Sequence, residues 1–311
     1  MAKIDEKHIR ERIIRCREGK TTSGKEMKSW ASVVGQRIGD ILQIVMDISF
    51  EEFTKLKDIQ LESIGGGKEK ILTGDSKQID GRLVNIRGEL ITIGESKWLK
   101  DQRHQNDKGA WITGLPDDMC KANPTIKGVI AILAGPWIGT PSHNRMIEQG
   151  TKTVIISLDD MIKFLHDIGL TTYEIESDGN TLVDPKRVTL QFCELEEKLL
   201  DKGLNPYNFW AKKILDEVKT EGKDTTVREE IGKFLSEINS RKSPVGNIVV
   251  NGFTLMVETN IGSLEIKKIG IGGSLGLGIL KTIRAWKKKP QAMYNILIDE
   301  EIELQIEDIQ E

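Results

Sequence analysis

The stretch Gln78-Ile79-Asp80-Gly81-Arg82-Leu83-Val84-Asn85-Ile86-Arg87-Gly88-Glu89-Leu90-Ile91-Thr92-Ile93-Gly94-Glu95-Ser96-Lys97-Trp98 is rich in β-branched residues on both sides of Arg87-Gly88-Glu89. That composition predicts two strands, 82–87 and 90–98, joined as a hairpin. Side chains of a strand alternate between its faces, so Ile91, Ile93, Glu95 and Lys97 share one face. Asp80 opens the partner strand, and the hairpin carries the chain back past it.

The chain on either side completes an α/β pattern. Upstream, Trp30, Val33, Val34, Ile38, Ile41, Leu42, Val45 and Met46 recur at three- and four-residue spacing, the stripe of a buried helix. Ser49-Phe50-Glu51-Glu52 reads as a capping box, which predicts a second helix from Phe50 to about Gln60 before the Gly65-Gly66-Gly67 break. Downstream, 101–123 reads as polar and irregular. Val129-Ile130-Ala131-Ile132-Leu133 is wholly apolar, as in a strand covered on both faces, and Thr153-Val154-Ile155-Ile156 is similar. Helices are expected at 142–149 and from the cap at Ser157 to Asp167. Strand, helix, strand and helix in this order imply a βαβ unit and a partly parallel sheet. Further helices are expected at 194–202, 207–220 and 226–239. A hairpin is expected at 247–258 around Asn251-Gly252, with a strand at 263–269. The fold class is therefore α/β, a mixed central sheet flanked by helices. Three parts are expected: a helical N-terminal part (1–60), a core (61–172) and an α+β C-terminal region (173–311).

The 311 residues carry 45 Lys+Arg against 48 Asp+Glu, a formal net charge of −3. This balance excludes binding driven by gross positive charge but leaves room for a local basic cleft. No apolar run approaches a membrane span, the N-terminus has no apolar signal region, and Cys16, Cys120 and Cys193 lie far apart. A cytoplasmic protein without a zinc cluster is expected.

The chemistry lies in the hairpin. An Asp and a Glu on adjacent strands, with a Lys two residues on, suit Mg²⁺, which prefers hard oxygen ligands and keeps several waters. A metal held there polarises a phosphoryl oxygen and acidifies a bound water, and the ammonium stabilises developing charge. Ile79-Asp80 followed by Glu95-Ser96-Lys97 resembles the signature of the PD-(D/E)XK nuclease superfamily, which includes many type II restriction endonucleases. The resemblance spans roughly 60–170. Ile79 stands where the family usually has Pro, and 101–123 stands where a helix usually follows. The resemblance implies Asp80 and Glu95 as metal ligands and Lys97 as the catalytic lysine. It also implies a restriction-endonuclease-like core, cleavage of double-stranded DNA and a homodimer on a palindromic site. A further acid often comes from a preceding helix in related nucleases, and Glu62, read as a helix end, is the candidate.

Other motifs compete less well. Glu265-Ile266-Lys267 also falls in an expected strand but lacks an upstream Asp on the paired strand. Gly19-Lys20-Thr21-Thr22-Ser23-Gly24-Lys25-Glu26 mimics a P-loop, yet it ends in Glu26 and follows a helix. Gly272-Gly273-Ser274-Leu275-Gly276-Leu277-Gly278 lies too near the end for a dinucleotide fold. Lys281, Arg284, Lys287 and Lys288, with Trp286 and Lys289, form the densest basic cluster and are the candidate DNA-backbone contacts. Trp98, Trp111, Trp137 and Trp210 read as core or interface residues. The composition suits a different class as well: a non-enzymatic nucleic-acid-binding or self-assembling viral or phage structural protein. Convergence of Asp80, Glu95 and Lys97 is what separates the two readings.

Overall fold

The computed structural model describes residues 4–240, apart from 22, 28, 72–73, 101–104 and 177–180, and the backbone of 252–259 and 262–269. The chain divides into two units, Met1–Pro244 and Val245–Glu311. In the first unit the order is α1 (Glu6–Arg17), α2 (Trp30–Thr54), β1 (Leu61–Ser63), β2 (Gly67–Lys70), β3 (Ser76–Ile79), β4 (Gly81–Asn85), β5 (Leu90–Trp98), α3 (Gln105–Thr113), α4 (Leu115–Ala122), β6 (Gly128–Ala134), α5 (Pro141–Glu148), β7 (Thr151–Ile156), α6 (Leu158–Asp167), α7 (Pro185–Leu200), α8 (Pro206–Glu217) and α9 (Val227–Ser240). Five strands form a mixed sheet in the order β1-β4-β5-β6-β7. The pairs β1–β4 and β4–β5 are antiparallel, whereas β5–β6 and β6–β7 are parallel. β2 and β3 form a separate antiparallel ribbon that delivers the chain to Asp80.

The sheet lies between two apolar layers, and β6 shows why its sequence is apolar throughout. Ile130, Ile132 and Ala134 join the core that includes α1, α2 and α6 to α9. Val129, Ala131 and Leu133 join the opposite core with Ile112, Leu115, Met119, Trp137 and Met146. Helices from 1–60 and from 185–240 thus share one apolar core with the sheet. Across that core, Arg37 and Glu196 are fully buried and paired, Nε to Oε1 at 3.0 Å and Nη2 to Oε2 at 3.2 Å, and Tyr207 also donates to Glu196. Arg37 Nη1 is buried without a partner, so the pair is held by the remaining contacts, and removing either member would leave a buried charge alone.

Three expectations are corrected here. The helix expected to begin at Phe50 is the last part of α2, which runs unbroken through Ser49. Inside the helix the Ser49 hydroxyl donates back to Val45 O at 2.8 Å instead of capping a new one. The segment 101–123 holds α3 and α4. α3 has almost no amphipathic periodicity, and Gly114 and Pro116 interrupt the run, so pattern reading sees no helix. In the second unit, β8 (Gly252–Thr259) and β9 (Gly262–Ile269) pair from Gly252↔Ile269 to Thr259↔Gly262, so the turn lies beyond Thr259 rather than at Asn251-Gly252.

α2 comes closest to the sheet at Met46. Gly81 and Gly94 are cross-strand partners. A Cβ on either would come within 2.6 or 2.3 Å of Met46 Sδ, so the two glycines form a socket for that side chain. Gly94→Ala is expected to destabilise the fold by about 1–3 kcal/mol, the usual cost of overpacking a filled core. Chemical denaturation measures this, and an unchanged midpoint would show that Met46 moves aside freely.

Candidate active site

Each member of the socket has an acid as its neighbour in the chain. Asp47 follows Met46, Asp80 precedes Gly81 and Glu95 follows Gly94. Asp80 sits at the corner between β3 and β4, one step before the Gly81↔Gly94 pair, so antiparallel register carries it alongside Glu95. Its Oδ2 accepts from the backbone N–H of Ser96 at 2.9 Å and from the Ser96 hydroxyl at 3.0 Å. These two bonds hold the carboxylate toward β5.

Glu95 and Lys97 leave the same face of β5, as strand alternation requires. Lys97 Nζ stands 2.7 Å from Glu95 Oε2 and 3.5 Å from Asp80 Oδ2. One ammonium thus bridges both carboxylates. Ala131, opposite Glu95 on β6, leaves room for the longer acid. Glu95 is 1 % exposed, and its Oε1 is buried with no hydrogen-bond partner. Burial, reinforced by the charge of Asp80, pushes its carboxyl up to about 7, against the opposing pull of Lys97. Burial alone would lower Lys97, but Glu95 and Asp80 outweigh it and hold the ammonium above its ordinary range. Lys97 is therefore a fixed positive charge rather than a proton acceptor at neutral pH.

The structure brings Asp80, Glu95 and Lys97 together and leaves Glu62 out. Glu62 lies in the short edge strand β1, opposite Val84, with its side chain exposed. α2 ends at Thr54, so no helix carries it. A buried acid on α2, Asp47, feels the charge of Asp80. It is 4 % exposed, and neither carboxylate oxygen has a hydrogen-bond partner. Burial first, then the charges of Glu51 and Asp80, raise it to about 7. The signal in the sequence was a lone carboxylate within the apolar stripe, in Val45-Met46-Asp47-Ile48. Trp111 on α3, read from the sequence as core or interface, is not a core residue. It is 38 % exposed and lies under the Lys77 ammonium at 4.9 Å from its ring. Trp98, Trp137 and Trp210 are buried as expected.

Lys281, Arg284, Lys287 and Lys288 lie outside the described residues, as do Trp286, Lys289 and the 272–278 glycine run. Glu265 and Lys267 on β9 face Met256 and Thr254 across the ribbon, not an acid.

Among the described residues no three His, Cys, Asp or Glu side chains gather closely enough to form a complete metal cage. Mg²⁺ does not require one, since it is commonly held by one or two carboxylates with waters and substrate oxygens. Asp80 and Glu95 supply hard oxygens, and the buried, unpartnered Glu95 Oε1 is the atom that a cation would satisfy. The donor set fits. No protein-family model, curated protein or solved structure matches the chain. Among the described residues no helix is long and apolar enough to cross a membrane.

Proposed function

We propose that this protein is a Mg²⁺-dependent, site-specific endonuclease that hydrolyses phosphodiester bonds of double-stranded DNA, in the manner of a type II restriction enzyme. The observation that supports this reading best is the single Lys97 ammonium between Glu95 Oε2 and Asp80 Oδ2. A surface ion pair would not need two acids from different strands, one of them almost fully buried. The order in which the elements follow, from the Asp80 corner through β4, β5, the helices α3 and α4, β6, α5 and β7, also agrees with the core implied by the resemblance to PD-(D/E)XK nucleases.

Asp80 and Glu95 would hold the metal, whose contribution when bound is to polarise the phosphoryl oxygen and acidify a water. The chain's own groups then divide the remaining work. Ser96 fixes the Asp80 carboxylate through two hydrogen bonds, so that acid needs no reorientation when substrate arrives. Lys97 offers a positive charge, desolvated on one side, to the oxygens that gain charge as phosphorus becomes pentacoordinate. Spontaneous cleavage of these bonds is very slow, so such preorganised charge is where the rate must come from. The proposal assigns Lys281, Arg284, Lys287 and Lys288 to the DNA backbone. It also assigns a two-fold dimer to palindromic sites, because a symmetric site calls for symmetric protein contacts.

The test incubates purified protein with unmethylated plasmid and phage DNA in Mg²⁺ or EDTA. Discrete fragments that disappear in EDTA are expected. Absence of cleavage on varied DNA by folded protein overturns the reading and favours the non-enzymatic one. Among the acids, Glu62→Ala is expected to leave divalent-cation affinity unchanged, measured by calorimetric titration, because Glu62 is exposed on an edge strand. A clear loss of affinity in that variant would return Glu62 to the site.

A further inference from the structure

Cys16 and Cys193 lie far apart in the sequence, yet the packing of α1 on α7 buries both thiols in one core. We propose that they are a peroxide-reactive pair, in which Cys16 attacks and Cys193 resolves, closing to a disulfide that staples α1 to α7. The proposal is independent of the nuclease reading, because it uses none of the groups around Asp80.

Two ion pairs hold the helices together beside the thiols. Arg17, next to Cys16, grips Glu197 with both guanidinium prongs at 2.7 and 3.2 Å, and Arg10 stands 3.6 Å from Asp201. Glu197 is one turn beyond Cys193 on α7, so the bridge from Arg17 fixes the two cysteines against each other. Their sulfurs are hydrogen-bonded, with Cys193 donating to Cys16. The Cys193 sulfur in turn accepts from Arg37 Nη2 at 3.3 Å.

The surroundings are charged as well as buried. Arg12 lies one turn before Cys16 on the same face of α1, and both are buried. Arg12 pairs with Asp40 and Arg37 with Glu196, but Arg12 Nη2 and Arg37 Nη1 remain buried donors without a partner. Guanidinium groups beside a thiol favour the thiolate, which is the nucleophilic form. The hydrogen bond from Cys193, reinforced by Arg37, holds the Cys16 thiol below its ordinary range against burial and the charge of Glu196. The same bond, together with burial, raises Cys193. The two thiols thus take different roles. Cys120 on α4 is more exposed, but burial and Asp117 raise its thiol.

The oxidant is hydrogen peroxide. The Cys16 thiolate attacks one peroxide oxygen, so an S–O bond forms, the O–O bond breaks and the departing oxygen takes a proton and leaves as water. Cys193 then gives up its proton and attacks the Cys16 sulfur. The S–S bond forms, the S–O bond breaks and a second water leaves. Two thiols are oxidised to a disulfide while the peroxide is reduced to water. Cys16 lies in the last turn of α1, and a helix end opens at low cost, so peroxide reaches it without global unfolding.

The experiment treats the reduced full chain with hydrogen peroxide under native conditions, quenches with an alkylating agent and maps the peptides by mass spectrometry without reduction. A linked peptide joining Cys16 to Cys193 is expected, with the loss of two hydrogen atoms, and it is expected to appear before Cys120 is oxidised. The melting temperature is expected to rise by about 5 °C or more, because the cross-link closes a long loop in the unfolded chain. Dithiothreitol is expected to reverse both changes. In Cys193→Ser, oxidation of Cys16 is expected to stop at the sulfenic acid, which dimedone traps, and peroxide is expected to leave the melting temperature unchanged. Should that variant fail to fold, the peptide maps of wild type and of Cys120→Ser, in which the link is expected to form unchanged, decide the matter. Oxidation of Cys120 while Cys16 and Cys193 stay open to alkylation after unfolding overturns the proposal. So does a link that forms only in denaturant.

Discussion

Lys97→Ala is expected to lower the rate of DNA cleavage by about 10²–10³-fold or more, the scale on which removal of one preorganised charge-stabilising group is felt. Affinity for the divalent cation is expected to stay level or to rise. The reason is local. In this structure the Lys97 ammonium lies within 2.7 Å of Glu95 Oε2 and 3.5 Å of Asp80 Oδ2, so it competes with a cation for the same two carboxylates. Removing it lifts that competition while taking away the charge that faces the phosphorus. Single-turnover cleavage and calorimetric titration with Mg²⁺ separate the two effects. Loss of cation affinity together with loss of rate would show that Lys97 supports the carboxylates structurally and would remove it from the chemistry. Glu95→Ala is expected to lose both, because it removes a ligand.

Asp47→Asn is expected to raise stability above neutral pH when no divalent cation is present, and Glu95→Gln is expected to do the same to a smaller extent. Burial is the main cause in both acids, and it raises each carboxyl to about 7, from 3.8 for Asp47 and from 4.5 for Glu95. An acid whose folded value is raised binds its proton more tightly in the folded state. Its favourable contribution is complete below the unfolded value and is lost as pH rises through the folded one. Wild type should therefore lose stability between about pH 4 and 7 from these two groups. Each corresponds to a loss of about 3–4 kcal/mol in full, as an order of magnitude. Asp47 is the cleaner test because its oxygens have no hydrogen-bond partner to lose. Glu95→Gln gives up the contact with Lys97, which offsets part of the gain. Millimolar Mg²⁺ should restore wild-type stability at pH 8 and do little for Glu95→Gln, since a ligand that binds only the folded state stabilises it. Melting temperatures across pH 5–8, with and without Mg²⁺, measure all of this. An Asp47→Asn protein less stable than wild type at pH 8 in EDTA would mean that the charge is already compensated.

The convergence of Asp80, Glu95 and Lys97 was legible before any tertiary contact was known. Glu95 and Lys97 are two residues apart on a strand, and a strand places such residues on one face wherever it lies. Asp80 was legible because a short hairpin fixes which residues return beside one another. β6 was readable for the same reason, because its continuous apolarity states that both faces are covered, whereas β5 is covered on both faces too and its alternation did not show it. Glu62 was misread because its neighbourhood has the composition of a helix end, while its actual state depends on pairing with Val84. α3 escaped notice because a helix with little amphipathic periodicity is recognised only by what packs on it. Ser49 looked like a cap because a local pattern cannot show that the preceding helix is still running.

The sequence by itself determined the α/β class, the parallel βαβ segment and the triad of Asp80, Glu95 and Lys97, because all three rest on periodicities and turns that span a few residues. Only the tertiary structure decided that Met46 enters a socket between Gly81 and Gly94, that Asp47 is buried without a hydrogen-bond partner, that Glu95 is nearly sealed from water and that Trp111 is exposed beneath Lys77. These depend on which helix crosses which face of the sheet and how closely. Close approach, burial and the resulting shifts in proton affinity are properties of residues distant in sequence, set by the packing of the whole chain and not by any local pattern.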